Sequence, residues 1–202
     1  TRCTSSAASD VYKRQTAPGG DVALLSGDAV LEVGEAAGGK ITLDLSGLLG
    51  GTTVNSGSID IASASTKGGI AVVLGESVSV LGSIDASGAS GGGDVFIGGD
   101  FQGSNPSLTN ASSTLVSGTI LADALVDGDG GNVILWSDGD TSFSGSISAT
   151  GVGTGIGGFA EVSGKNNLHY RGVTVLDGPS GGGELLLDPT NVPISYSSSN
   201  TT

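Results

Sequence analysis

A pair of glycines followed by an alternating apolar run recurs seven times in this chain of 202 residues: GGDVALL, GGKITLDL, GGIAVVL, GGDVFIG, GGNVILW, GGFAEVS and GGELLLD. The pairs end at Gly20, Gly39, Gly69, Gly93, Gly131, Gly158 and Gly183, with spacings of 19, 30, 24, 38, 27 and 25 residues. Recurrence at that period marks a structural unit stacked on copies of itself. Successive side chains of a strand point to opposite faces, so each run can be tested position by position. The second and fourth residues after the pair are Val22/Leu24, Ile41/Leu43, Ala71/Val73, Val95/Ile97, Val133/Leu135, Ala160/Val162 and Leu185/Leu187, and all fourteen are apolar. The positions between them include Asp21, Lys40, Asp94, Asn132, Glu161 and Glu184. One face is therefore predicted to be core and the other to meet water, with Glu161 and Lys165 on the wet side.

Two further short runs follow within a unit, as in IAVVL, SVSVLG and SIDASG over residues 70–88. Three strands in about 25 residues are the arithmetic of a β-solenoid, all-β and of about seven coils. Gly and β-branched residues dominate and no 3.6-residue stripe persists, which excludes a helical fold. Strand spacing alone also fits a β-sandwich, but a sandwich does not predict a repeating Gly-Gly register. The glycines are expected at corners that need a positive φ. The longest coil runs from Gly93 to Gly131 and carries an insertion. Beside it, Phe96, Ile134 and Trp136 form an outward apolar patch, so part of residues 101–126 is predicted to fold back over it.

The first fifteen residues lack this pattern, and SSAASDVYKRQ (residues 5–15) resembles the translation of a transposon-based sequencing adaptor. Residues 1–15 are therefore expected to be a disordered, artefactual leader standing outside the solenoid. Without them four basic residues (Lys40, Lys67, Lys165 and Arg171) face nineteen acidic ones, and neither Cys nor Met is left. So acidic a chain offers no footprint for nucleic acid or an anionic membrane surface. It also offers no thiolate or disulfide framework, and no apolar run is long enough for a spanning helix.

Four ordered blocks carry a family resemblance: GGDVFIGGDFQGSNP (92–106), ILADALVDGDGGNVILWSDGDTSFSGSISATG (120–151), GGFAEVSGKNNLHYRG (157–172) and GGGELLLDPTNVPI (181–194). They cover about half the chain, and the segment resembles the filamentous haemagglutinin-like exoproteins of the two-partner secretion type. The resemblance implies a right-handed parallel β-helix shaft over residues 16–194, with 195–202 leading into further sequence. It also implies a large secreted or surface-displayed bacterial protein. An outer-membrane pore would export it by recognising an N-terminal domain, and surface glycans or receptors of a host or the environment would be its ligands. The asparagine-proline motifs of that domain are not matched, since SNPSL at 104–108 lies in a different context.

Chemistry-bearing residues are sparse. His169, the sole histidine, sits with Tyr170 and Arg171 in NLHYRG. Alternation puts His169 and Arg171 on one face, which reads as two solvated side chains rather than an acid–base pair. Asp123, Asp127, Asp129, Asp138 and Asp140 invite a calcium reading around Asp127 and Asp129. The nonapeptide calcium pattern is not repeated, however, so turn-forming aspartates are the simpler account. Trp136, Phe96, Phe101, Phe143 and Phe159 read as packing residues rather than a sugar platform. The expectation is a non-enzymatic shaft with no catalytic, cofactor-binding or metal-binding residue. The alternative is a polysaccharide-binding or polysaccharide-cleaving β-helix, which would want basic residues gathered over a groove.

Overall fold

The computed structural model describes residues 14–26 and 50–190 in full and, outside them, the backbone of four short strands. Along the chain come β1 (Cys3–Ser5), β2 (Ala8–Val11), β3 (Gln15–Thr16) and β4 (Asp21–Ser26). A hairpin of β5 (Val33–Ala36) and β6 (Lys40–Leu43) precedes β7 (Thr52–Asn55) and β8 (Ser58–Asp60). The next coil is β9 (Ile70–Leu74), β10 (Ser77–Val80) and β11 (Ser83–Asp85). Then come β12 (Asp94–Ile97), a 3-10 turn (Phe101–Gly103), β13 (Ser113–Val116) and β14 (Thr119–Leu121). The last coils are β15 (Asn132–Ser137), β16 (Asp140–Phe143) and β17 (Ser146–Ser148), then β18 (Phe159–Gly164), β19 (Asn167–Tyr170) and β20 (Val173–Val175), then β21 (Glu184–Leu186).

These strands stack into three parallel sheets, the arrangement of a parallel β-helix. The first has seven strands in the order β1-β4-β9-β12-β15-β18-β21; the second (β2-β7-β10-β13-β16-β19) and third (β3-β8-β11-β14-β17-β20) have six each. Register in the first sheet is the Gly-Gly register: Asp21, Ile70, Asp94, Asn132, Phe159 and Glu184, each the residue after its glycine pair, lie side by side.

Side-chain columns from all three sheets fill the interior. From the first sheet come Val22, Ala71, Val95, Val133 and Ala160 with Leu24, Val73, Ile97, Leu135 and Val162, all buried. The third sheet supplies an isoleucine ladder, Ile59, Ile84, Ile120 and Ile147, each at most 1% exposed. The second mixes Thr53, Val78, Thr114, Thr141 and Leu168 with Phe143. Its threonine hydroxyls bond to backbone carbonyls, as Thr114 does to Trp136 and Thr141 to Ser163, so burying them leaves no unsatisfied donor. Only a stack can enclose such columns, because one coil has no second layer of its own. Leu185 and Leu187 follow the inward alternation but are 38% and 43% exposed, since among the described residues no strand lies beyond β21.

Four sequence expectations need correction. GGKITLDL does not form a rung: β6 pairs antiparallel with β5, and β4 passes directly to β9. The side chains of Ile41 and Leu43 lie outside the described residues. The longest connection between neighbouring rungs is thus from Gly20 to Gly69, not from Gly93 to Gly131. The described strands within residues 1–15 do not stand apart either: β1 pairs with β4, β2 with β7 and β3 with β8. The physical reason is the open edge, whose unpaired N–H and C=O groups accept any β-capable chain beside them. This pairing concerns the segment's place in the stack, not its origin. Finally, the second glycine of each stacked pair is not at positive φ. A Cβ on Gly131 would lie 2.0 Å from the carbonyl oxygen of Gly93, and one on Gly158 would lie 2.1 Å from that of Gly131. Close approach between successive coils, not turn geometry, demands the glycine.

Candidate functional site

The outer face of the first sheet is where the molecule departs from a plain rod. The residues three after each glycine pair, Ala23, Val72, Phe96, Ile134, Glu161 and Leu186, form one outward row across β4, β9, β12, β15, β18 and β21. Outward residues of a solenoid ordinarily meet water, yet Ile134 is 3% and Trp136 6% exposed. The cover is a flap, residues 98–112, which leaves β12 at Gly98 (φ 76°) and returns at β13.

Its path follows from its residues. Asp100 caps the 3-10 turn by accepting the Phe101 N–H at 2.7 Å, and its other oxygen accepts Asn105 Nδ2 at 2.7 Å. Asn105 Oδ1 in turn accepts the Ser107 N–H at 3.0 Å, the local turn expected of Asn before Pro. Gly99 and Gly103 lie flat on the indole: a Cβ on Gly103 would sit 2.3 Å from Trp136 Nε1, and one on Gly99 would sit 2.8 Å from Cδ1. The Trp136 N–H finds Asp138 Oδ1 at 3.2 Å, and Asn110 Nδ2 donates to the Gly103 carbonyl at 2.9 Å. Leu108 packs, as Ala23 and Val72 do, against Leu25 and Leu74, while the Phe101 ring lies 5.9 Å from that of Phe159. The flap thus spans rungs from β4 to β18. The predicted cover is present but shorter than the 101–126 window, because Ser113–Val116 and Thr119–Leu121 are solenoid strands.

Glu161 corrects a further expectation. It does point outward, as alternation requires, but the flap lies over it and it is 0% exposed. Oε2 accepts the Gln102 N–H at 3.0 Å, whereas Oε1 is buried without a partner. Burial raises its pKa, bonds from Gln102 and Ser163 oppose the rise, and the charges of Asp188 and Asp100 add to it. Gln102 itself has φ 53°, the only positive value for a non-glycine residue in the described backbone. Lys165 is exposed, as expected.

The acidic run behaves as a set of ties between coils. Asp123 accepts Ser148 Oγ, the Thr150 N–H and Thr150 Oγ1 at 2.7, 2.7 and 2.8 Å. Asp127 accepts the Thr154 N–H at 2.8 Å, Asp129 the Ile156 N–H at 2.8 Å and Asp140 the Asn167 side-chain amide at 2.7 Å. Those bonds from Thr154 hold the Asp127 carboxyl below its ordinary pKa. The aspartates are thereby directed at the next coil rather than at one another. Among the described residues no three His, Cys, Asp or Glu side chains converge on a point fit for a metal ion.

His169 on β19 and Arg171 just after it are exposed, while Leu168 is buried and Tyr170 packs on Phe143 with its ring 5.3 Å away. The Tyr170 hydroxyl is taken up by Thr174 at 2.8 Å, so the trio is split between core and solvent. Along the Gly-Gly corner runs an open groove of about 730 Å³, lined in part by Lys67, Asp129, Asn132 and Glu184. Lys67 is paired there with Asp94 at 3.1 Å, and Asn132 donates to the same carboxylate at 2.6 Å. No helix among the described residues is long and apolar enough to cross a membrane.

No family model matches this chain, and neither does any curated protein sequence. Among solved structures it is similar to the HMW1 secretion domain from Haemophilus influenzae, with a TM-score of 0.54 and 23% identity over 90% of this chain and 49% of that one. The chain spans about half the length of that solved domain, and at such identity the likeness is one of fold: both are parallel β-helices.

Proposed function

We propose that this chain is a structural, adhesive-type shaft segment of a large bacterial exoprotein of the haemagglutinin-like, two-partner secretion kind. It holds binding regions away from the cell surface and catalyses no reaction. The outer-membrane pore of the parent protein is its secretion partner, and glycans or receptors on a host or environmental surface are the ligands of that parent protein. The observation that carries this reading is the way polar residues are used. Asp123, Asp127, Asp129 and Asp140 reach to the next coil, so the acidic side chains serve continuity of the rod rather than a reaction centre. Seven rungs at about 4.8 Å give a rod segment about 30 Å long. The blocks resembling haemagglutinin-like exoproteins and the fold shared with a secretion domain point the same way.

The test is a screen of the purified chain on pectin, alginate and other surface glycans, reading both binding and release of reducing ends. The shaft reading expects no turnover. Turnover that disappears in His169→Ala would replace it with the polysaccharide-cleaving reading. A gene for an outer-membrane pore beside this one is the expected genomic setting, and its absence would count against the secretion route.

A further inference from the structure

We propose that Glu161 is a proton-operated latch for the flap: neutral Glu161 keeps residues 98–112 closed over Trp136, and ionised Glu161 loosens them. Three observations meet at this residue. Its side chain is fully covered, yet only one of its two oxygens has a partner. The donor to that oxygen is the N–H of Gln102, at the tip of the flap and in a left-handed conformation unusual for a side-chain-bearing residue. The third is the charge around it. Directly opposite on the neighbouring strands are Ile134 and Leu186, both apolar. From the flap comes Asp100, and from the segment after β21 comes Asp188, whose N–H is held by Ser163 Oγ at 3.1 Å. Asp138 and Lys165 line the adjoining hollow of about 410 Å³ beside Gln102 and Trp136. No cation is paired with Glu161 among the contacts of the described residues. Among the described residues no three metal-binding side chains converge there. A proton balances the site with no added ligand: it removes the buried charge and the repulsion from Asp100 and Asp188, while Oε2 still accepts the Gln102 N–H.

The direction follows from linkage. With the flap open, Glu161 is solvated and has an ordinary carboxyl pKa; with the flap closed, burial raises it. Closure is therefore strongest in acid and weakens as pH rises through the closed-state value. Each unit between the two values changes the opening equilibrium about tenfold.

Hydrogen exchange of the Gln102, Gly103 and Asn110 amides, corrected for intrinsic rates, tests this from about pH 4 to 8 in the whole chain. Wild-type protection should fall as pH rises through the closed-state value, accompanied by a red shift of Trp136 fluorescence. Glu161→Gln should keep the flap protected across the range. Undiminished pH dependence in Glu161→Gln, or greater wild-type protection at high pH, would overturn the proposal. Should Glu161→Gln disturb folding, Asp188→Asn supplies a second reading: removing a like charge must move the transition to lower pH, and an unmoved midpoint also overturns it. Asp138 accepts the Trp136 N–H, so fluorescence is repeated in Asp138→Asn; loss of the shift there, with amide exchange unchanged by pH, assigns the signal to Asp138 and defeats the latch.

Discussion

The outer faces of the first and third sheets occupy equivalent positions in every coil and have opposite fates. On the third sheet the outward residues of β8, β11 and β17 are Ser58 and Asp60, Ser83 and Asp85, and Ser146 and Ser148, all partly open to water. On the first sheet Ile134, Trp136 and Glu161 occupy outward positions and are as deeply covered as the core. Alternation therefore determines which way a side chain points and nothing more; environment depends on what else the chain lays over that face. In this molecule a fifteen-residue detour between β12 and β13 makes the difference. It converts one outer face into a second, smaller apolar layer that joins Leu25 and Leu74 to Val72 and Leu108.

The sharpest contrast is between the inner side of a rung and an open outer side. Leu135→Asp places a carboxylate in a fully buried column with no donor designed for it, and the expected result is loss of several kcal/mol and unfolding or aggregation. Ser83→Ala, on the open face of β11, should change stability by less than about 0.5 kcal/mol. Urea titration of the two variants measures the span, and comparable effects would break the register on which the comparison rests.

The flap is the next lever. Replacing residues 102–109 with a short Gly-Ser turn, which leaves β13 intact, uncovers Trp136 and Ile134. At roughly 1.5–3 kcal/mol for each large apolar side chain returned to water, a loss of about 3 kcal/mol is expected, with a red-shifted Trp136 emission. Unchanged emission would mean that the two outer faces do not differ for the reason given. Ending the replacement at residue 109 spares β13, whose Thr114 and Val116 belong to the core.

These residues also mark how far the sequence can be read. The rung register was legible because Gly-Gly pairs recur where a Cβ would strike the preceding coil, a constraint that no other residue meets. The cover over Trp136 was legible as excess chain beside an apolar outward row. GGKITLDL was not, because its alternation is that of a true rung; the warning is a second pair, Gly50 and Gly51, just ahead of β7 in the second sheet. Burial of Glu161 was hidden for a similar reason, since its strand neighbours permit exposure and only the distant Gln102 covers it. The aspartate ties were half visible: Asp123 to Thr150, Asp127 to Thr154, Asp129 to Ile156 and Asp140 to Asn167 all span 27 residues, one local coil, but that constant emerges only once the coil length is known.

The finest test sets against each other two carboxyl groups whose pKa values are displaced in opposite directions. Asp127 lies on an exposed corner, and the bonds it accepts from Thr154 depress its pKa below 3.8. Its contribution to stability is present above that value and is lost as pH falls through the lower folded-state pKa. Glu161 lies beneath the flap with its pKa raised above 4.5, so its favourable state is the acid one and is lost as pH rises through the folded-state value. Asp127→Asn should therefore be less stable than wild type at neutral pH, the gap closing below about pH 4 as the wild-type carboxyl takes up its proton. Glu161→Gln should show the mirror image: no gap in acid, and an advantage over wild type that opens as pH climbs past 4.5. Urea midpoints of the three proteins at several pH values decide it. Two gaps opening toward the same side would show that Asp127 and Glu161 share one environment, and the distinction between covered and open outer faces would lose its electrostatic half.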